Sequence, residues 1–142
     1  MADTVTTQIL ENGPRWYVAK FTNFSDGTGE TNVVKINATT GSIGVLIGGN
    51  TIYPQLHLKI RRVEYDIGAM AVRLQWVASL NQDIAILKNW GAWDFFKTQG
   101  WPNPGTAALS GATGSIAFTT VGAAANSSYT ITLWCDKGIP QS

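Results

Sequence analysis

Residues 56–76 read LHLKIRRVEYDIGAMAVRLQW, and an alternation of apolar and polar side chains runs through them with one break. Leu56, Leu58 and Ile60 share one parity, with His57, Lys59 and Arg61 on the other. After Arg61 and Arg62 the apolar series continues as Val63, Tyr65 and Ile67 on the opposite parity. A period of two is the pleat of a β-strand, not the 3.6-residue repeat of a helix. A one-residue slip would turn the whole apolar set to solvent unless an extra residue is absorbed, so a β-bulge is expected there. Ile67, Gly68, Ala69 and Met70 read as a turn, and Val72, Leu74 and Trp76 alternate with Ala71, Arg73 and Gln75 in a returning strand. The two halves together read as a long hairpin.

The same period recurs elsewhere. Residues 15–24 place Tyr17, Ala19 and Phe21 on one face and Trp16, Val18 and Phe24 on the other, and Asp26-Gly27 then supplies hairpin turn chemistry before a strand over 30–37. A weak strand is expected around 45–47, others at 84–88, 93–97 and 115–120, and a last one over 129–135 with Tyr129, Ile131, Leu133 and Cys135 on one side. Pro102 and Pro104 interrupt any ladder between residues 100 and 114. No segment carries a helical period of useful length. The expected fold is all-β: one domain over 1–142, a β-sandwich, jelly roll or partly closed barrel of about eight antiparallel strands. Residues 1–10 are expected to form an extended N-terminal arm, because TVTTQIL has β propensity and no core pattern of its own.

Charge narrows the function classes. Charged residues are 13% of the chain, about half the usual share, and the net charge is +1. Part of the surface is therefore expected to be hydroxylic or covered by other chains, and nucleic acid is a poor partner for so balanced a chain. The first residues lack the basic start and apolar run of a secretory signal, and no stretch approaches the roughly 18 apolar residues of a membrane span. Synthesis in the cytosol and no membrane partner are the expectations.

Catalytic chemistry is not legible. The chain has one histidine, His57, on the polar parity of its strand, and one cysteine, Cys135, in an apolar register. Neither a hydrolytic triad nor a zinc site can be assembled from them, and Cys135 reads as a buried small hydrophobe. No enzyme activity, cofactor or metal is expected. The loop around Asp26, Gly27 and Gly29 could hold a cation but reads better as a hairpin tip. Arg61, Arg62, Glu64, Asp66 and Arg73 are placed to form cross-strand ion pairs.

Residues 88–102, KNWGAWDFFKTQGWP, hold three of the six tryptophans. Trp93 and Phe95 share a face and are expected in the core. Trp90 and Trp101, flanked by Gly91, Gly100 and Pro102, are expected to be available to a partner, where Trp is a common anchor. Exposed Trp with Asp94, Asn89 and Gln99 nearby also fits a platform that stacks on sugar rings, so a glycan is the rival ligand.

The blocks TTQILENGPRWYVAKFTNFSDGTGE, LHLKIRRVEYDIGAMAVRLQW, GAWDFF and GATGSIAFTT together resemble a family of short proteins of tailed bacteriophages found among virion structural genes. The resemblance runs from Thr6 to about Gly138. It implies a small all-β structural component of the virion, a capsid decoration or cement protein on the outside of the shell, made in the bacterial host cytoplasm. The implied partners are the major capsid protein and further copies of the chain. The resemblance assigns no individual residues; the reading of the residues themselves makes Trp90, Trp101, Arg61, Arg62, Val5 and Ile9 the expected contact residues. A tail, baseplate or head-to-tail joining component is the alternative within the same class, and a carbohydrate-binding module the alternative outside it.

Overall fold

A computed structural model describes residues 4–12, 16–36, 45–47, 51–53, 59–94, 101–102 and 115–136. Their regular structure is all strand: β1 (Thr4–Asn12), β2 (Trp16–Asp26), β3 (Val33–Ile36), β4 (Val45–Ile47), β5 (Thr51–Tyr53), β6 (Lys59–Trp76), β7 (Gln82–Asp94), β8 (Trp101–Pro102), β9 (Ile116–Val121) and β10 (Ala125–Asp136). One antiparallel sheet runs β1-β2-β10-β6-β9-β3, with β7 and the two-residue β8 also on β6, while β4 and β5 form a separate ribbon. The large sheet is curled into a nearly closed, barrel-like form.

Strand β6 is the spine of this sheet, and its course corrects the hairpin expected from the sequence. Residues 67–70 are not a turn; β6 runs on through them, and the reversal comes after Trp76, where β7 begins and returns along nearly its whole length. On its other flank β6 pairs with β10 over residues 59–68 and then with β9 over residues 71–76. A bend is needed where it passes between these neighbours. Ala69 has φ 63° and, across the ladder, Asn89 has φ 61°, both at a break in register between Asp66 and Ala71. The buried Ser127 hydroxyl donates to the Ala69 carbonyl at 3.2 Å, a group at the break in the ladder, and accepts from the Ala124 amide at 3.0 Å, which ties the bend to the start of β10. Alanine is strained at positive φ. Ala69→Gly is therefore expected to stabilise the fold by about 1 kcal/mol, read as a raised urea midpoint at unchanged m-value.

The expected bulge is present. Trp134 pairs with Arg62 and Cys135 with Ile60, which leaves Arg61 as the extra residue and lets both Ile60 and Val63 reach the core. Tyr129, Ile131, Leu133 and Cys135 are all buried, as their alternation predicts. Phe118 joins the strands of the two flanks, meeting Phe21 edge-on at a ring separation of 5.3 Å and Tyr129 at 5.8 Å.

The Asp26-Gly27 turn exists but is not a hairpin tip. Gly27 has φ 107°, Ser25 Oγ accepts its amide at 3.0 Å and Asp26 Oδ1 accepts the Thr28 amide at 3.1 Å. The chain then crosses over, so that β3 pairs with β9 rather than with β2. Gly29, at φ 74°, lets the crossover pass close to β9, for a Cβ there would lie 2.6 Å from Thr120 Oγ1. That hydroxyl accepts the Glu30 amide at 2.8 Å, and Glu30 is thereby turned into the barrel.

The N-terminal segment is likewise not a free arm. Residues 4–12 are paired as β1 along β2 of the same chain.

Candidate functional site

Register places one polar face on the outside of the β2-β10-β6-β7 part of the sheet. Lys20, Thr132, Glu64 and Ala92 lie side by side in one row, and Thr22, Thr130, Asp66 and Trp90 in the next. Partners in an antiparallel ladder share a face, so this row pair stands opposite the core side chains Phe21, Ile131 and Val63. Between the rows runs an open groove of about 550 Å³, with Trp90 at one end and Lys20 at the other.

Trp90 is 79% exposed. Its neighbour Gly91 is covered by the Tyr65 ring, since a Cβ there would lie 2.8 Å from Tyr65 Oη. Glycine lets Tyr65 close over the backbone of β7 while Trp90 projects on the groove side.

Trp93 corrects the sequence reading. It pairs with Val63 and so has the parity of the core, yet it is 43% exposed at the margin of the sheet and is not a core residue. Phe95 lies outside the described residues, as do His57 and Gln99. Of the other sugar-reading candidates, Asp94 is ion-paired and Asn89 forms the bend in β7.

Arg62 borders the groove. It bridges Glu64 and, at 3.0 Å, Asp94, while its guanidinium lies 5.2 Å from the centre of the Trp134 ring. Hydrogen bonding to Glu64, with the charges of Glu64 and Asp94, holds the Arg62 pKa above its ordinary value. Arg61 pairs with Asp136 at 3.7 Å, and Arg73 with Asp83 at 2.6 Å, which holds the Asp83 carboxyl below the usual carboxylate range. The cross-strand pairs expected among Arg61, Arg62, Glu64, Asp66 and Arg73 thus recruit Asp83, Asp94 and Asp136, and only the Arg62–Glu64 contact joins two residues of the expected set.

The six expected contact residues do not form one surface. Trp90 and Arg62 belong to the groove face. Val5 and Ile9 sit on β1, 45% and 53% exposed, with β2 and β10 between them and β6. The backbone of Trp101 pairs with Ile60, and its side chain lies outside the described residues.

A second polar cluster was not foreseen. Glu30 and Lys35, each 6% exposed in the side chain, pair at 2.5 Å, and Glu30 Oε1 also accepts from Tyr129 Oη at 2.5 Å and from Asn23 Nδ2 at 3.1 Å. Lys35 in turn lies 6.0 Å over the Phe118 ring. Its enclosure makes it part of the scaffold rather than a place where a ligand enters.

Among the described residues no group of three or more His, Cys, Asp and Glu side chains could hold a metal ion. Cys135 is fully buried, and burial, with the neighbouring Asp136 charge, pushes its pKa well up. The fold holds the neutral thiol, so this stabilisation is complete below the ordinary thiol pKa and declines as pH rises above it. A thiol reagent at pH 8 is expected to label native protein only at the unfolding rate and denatured protein at once. Rapid labelling of the native chain would contradict the burial.

Comparison of the chain with protein-family models, curated proteins and solved structures found no match.

Proposed function

We propose that the chain is a non-enzymatic component of a tailed-phage particle, a decoration or cement protein bound to the outside of the shell. The observation that carries this reading is the distribution of apolar and charged groups. Val5, Ile9 and Leu10 on β1 and Ile86, Trp90 and Trp93 on β7 are all exposed, on strands with three others between them in the order β1-β2-β10-β6-β7. Meanwhile Arg61, Arg62, Arg73 and Lys35 are engaged by carboxylates of their own chain. Such a surface offers apolar anchors and hydroxyls to a neighbour with few charges left to desolvate. The sequence blocks that resemble virion proteins supply the identity of that neighbour: the major capsid protein, with further copies of the chain beside it.

Decoration stabilises by mass action. A protein that binds only the assembled shell favours it by RT ln(1 + [L]/Kd), about 2.7 kcal/mol per site at a free concentration of about 100 Kd. Shells prepared without the chain are expected to melt at higher temperature when it is added back. An unchanged melting temperature, with no chain co-sedimenting, would move the protein to the tail, baseplate or head-to-tail joint.

A glycan-binding module is the second reading, favoured by the groove itself. An exposed indole beside the Asp66 carboxylate and the Thr130 and Thr132 hydroxyls is the chemistry that stacks on a sugar face and reads its hydroxyl groups. Polysaccharide affinity that disappears in Trp90→Ala would establish it.

A further inference from the structure

Strand β1 forms an open margin of the sheet. Every residue from 4 to 11 is exposed, and among the described residues its backbone partner is β2 alone. An edge strand of this kind presents unpaired N–H and C=O groups to any strand that approaches, and proteins usually blunt such edges with Lys, Pro, a bulge or a buried charge. TVTTQI, residues 4–9, contains no Lys, Pro or charged residue, and the register shift against β2 falls at Leu10, just beyond it.

We propose that β1 is a docking edge for a second copy of the chain, pairing antiparallel with its counterpart about a two-fold axis through Thr7. The occupant is argued from the strand's own pattern. Residues 5–9 read apolar, polar, polar, polar, apolar, the same in both directions, so β1 is its own complement when reversed. Centred on Thr7, Val5 faces Ile9 and Thr6 faces Gln8, each pair occurring twice. Val5 and Ile9 pair with Asn23 and Ala19 of β2 and so share the parity of the buried face. The dimer would continue that face across the axis and cover both side chains. Glu11, the only charge on β1, falls outside the paired stretch, and no like charges meet. The contact is isologous and closes on itself, which gives a dimer and not a filament.

This pairing does not rest on the shell reading, since it belongs to the purified chain in solution. Sedimentation velocity from roughly 1 to 100 µM is expected to show a monomer–dimer equilibrium. Val5→Lys with Ile9→Lys sets lysines against lysines in this register and should weaken dimerisation roughly 100-fold or more. Val5→Glu with Ile9→Glu should do the same, and mixing the two variants should restore a dimer. Register is read separately by cross-linking. Facing residues on an axis have Cα atoms about 4.5–5.5 Å apart, within disulfide reach, so Thr7→Cys should form a dimer on mild oxidation while Gln8→Cys should not. A wild-type chain that stays monomeric at the top concentration overturns the proposal. So does a lysine variant that dimerises like wild type, or equal cross-linking at Thr7→Cys and Gln8→Cys.

Discussion

Glu30→Ala is expected to lower the unfolding free energy by about 3–5 kcal/mol, the largest effect of any single polar change among the described residues. The reason is what stays behind. The Lys35 side chain is 6% exposed, and without Glu30 its ammonium has lost the carboxylate at 2.5 Å that compensates its removal from water. Tyr129 Oη and Asn23 Nδ2 lose their shared acceptor in the same step. Lys35→Met is expected to cost clearly less, because Glu30 keeps both of those donors. The double replacement Glu30→Met with Lys35→Met should recover part of the loss, since no charge is left stranded, although Tyr129 Oη and Asn23 Nδ2 still lose this acceptor. Urea titrations of the three variants measure this. Equal losses for Glu30→Ala and the double replacement would mean that the pair itself, rather than the stranded charge, carries the stability.

Phe118→Ala is expected to cost about 3–5 kcal/mol and to lower the melting temperature by on the order of 10 °C. Its ring is fully buried, contacts Phe21 and Tyr129 edge-on, and forms the floor beneath Lys35. No single neighbour can collapse into the space, because these three aromatic rings come from β2, β9 and β10 and are held by separate ladders. Phe118→Leu should recover much of the loss. Phe118 and Glu30 act on the same Lys35, so Phe118→Ala combined with Glu30→Ala should fall short of additivity by about 1 kcal/mol or more. Strict additivity would mean that the aromatic cluster and the ion pair are energetically separate.

What could be read from the sequence was whatever depends on neighbours along the chain. The alternation at Tyr129, Ile131, Leu133 and Cys135 marked a buried face because one strand with one apolar side shows its period directly. The phase slip after Arg61 located the bulge for the same reason. Residues 67–70 were misread because a Gly-containing bend and a turn look alike locally. What distinguishes them is whether a partner strand continues alongside, and β7 does. Trp93 has the parity of Val63, as alternation required, but parity says nothing about where the core stops, and β7 lies at its margin.

The Glu30 cluster was invisible for a different reason. Glu30 and Lys35 read as two charges of one expected strand, whereas the cluster is completed by Tyr129, 99 positions away in sequence, and by a crossover that a hairpin reading of Asp26-Gly27 hides. On the surface, Trp90 was legible through Gly91. The groove beside it was not, since Lys20, Asp66 and Thr130 are brought into line only by the register of three ladders.

The most direct test of a role on the particle is the copy number of this chain relative to the major shell protein in purified virions, by quantitative mass spectrometry. Decoration requires one copy per shell subunit or a simple fraction of it. A handful of copies per particle, or none, would contradict it.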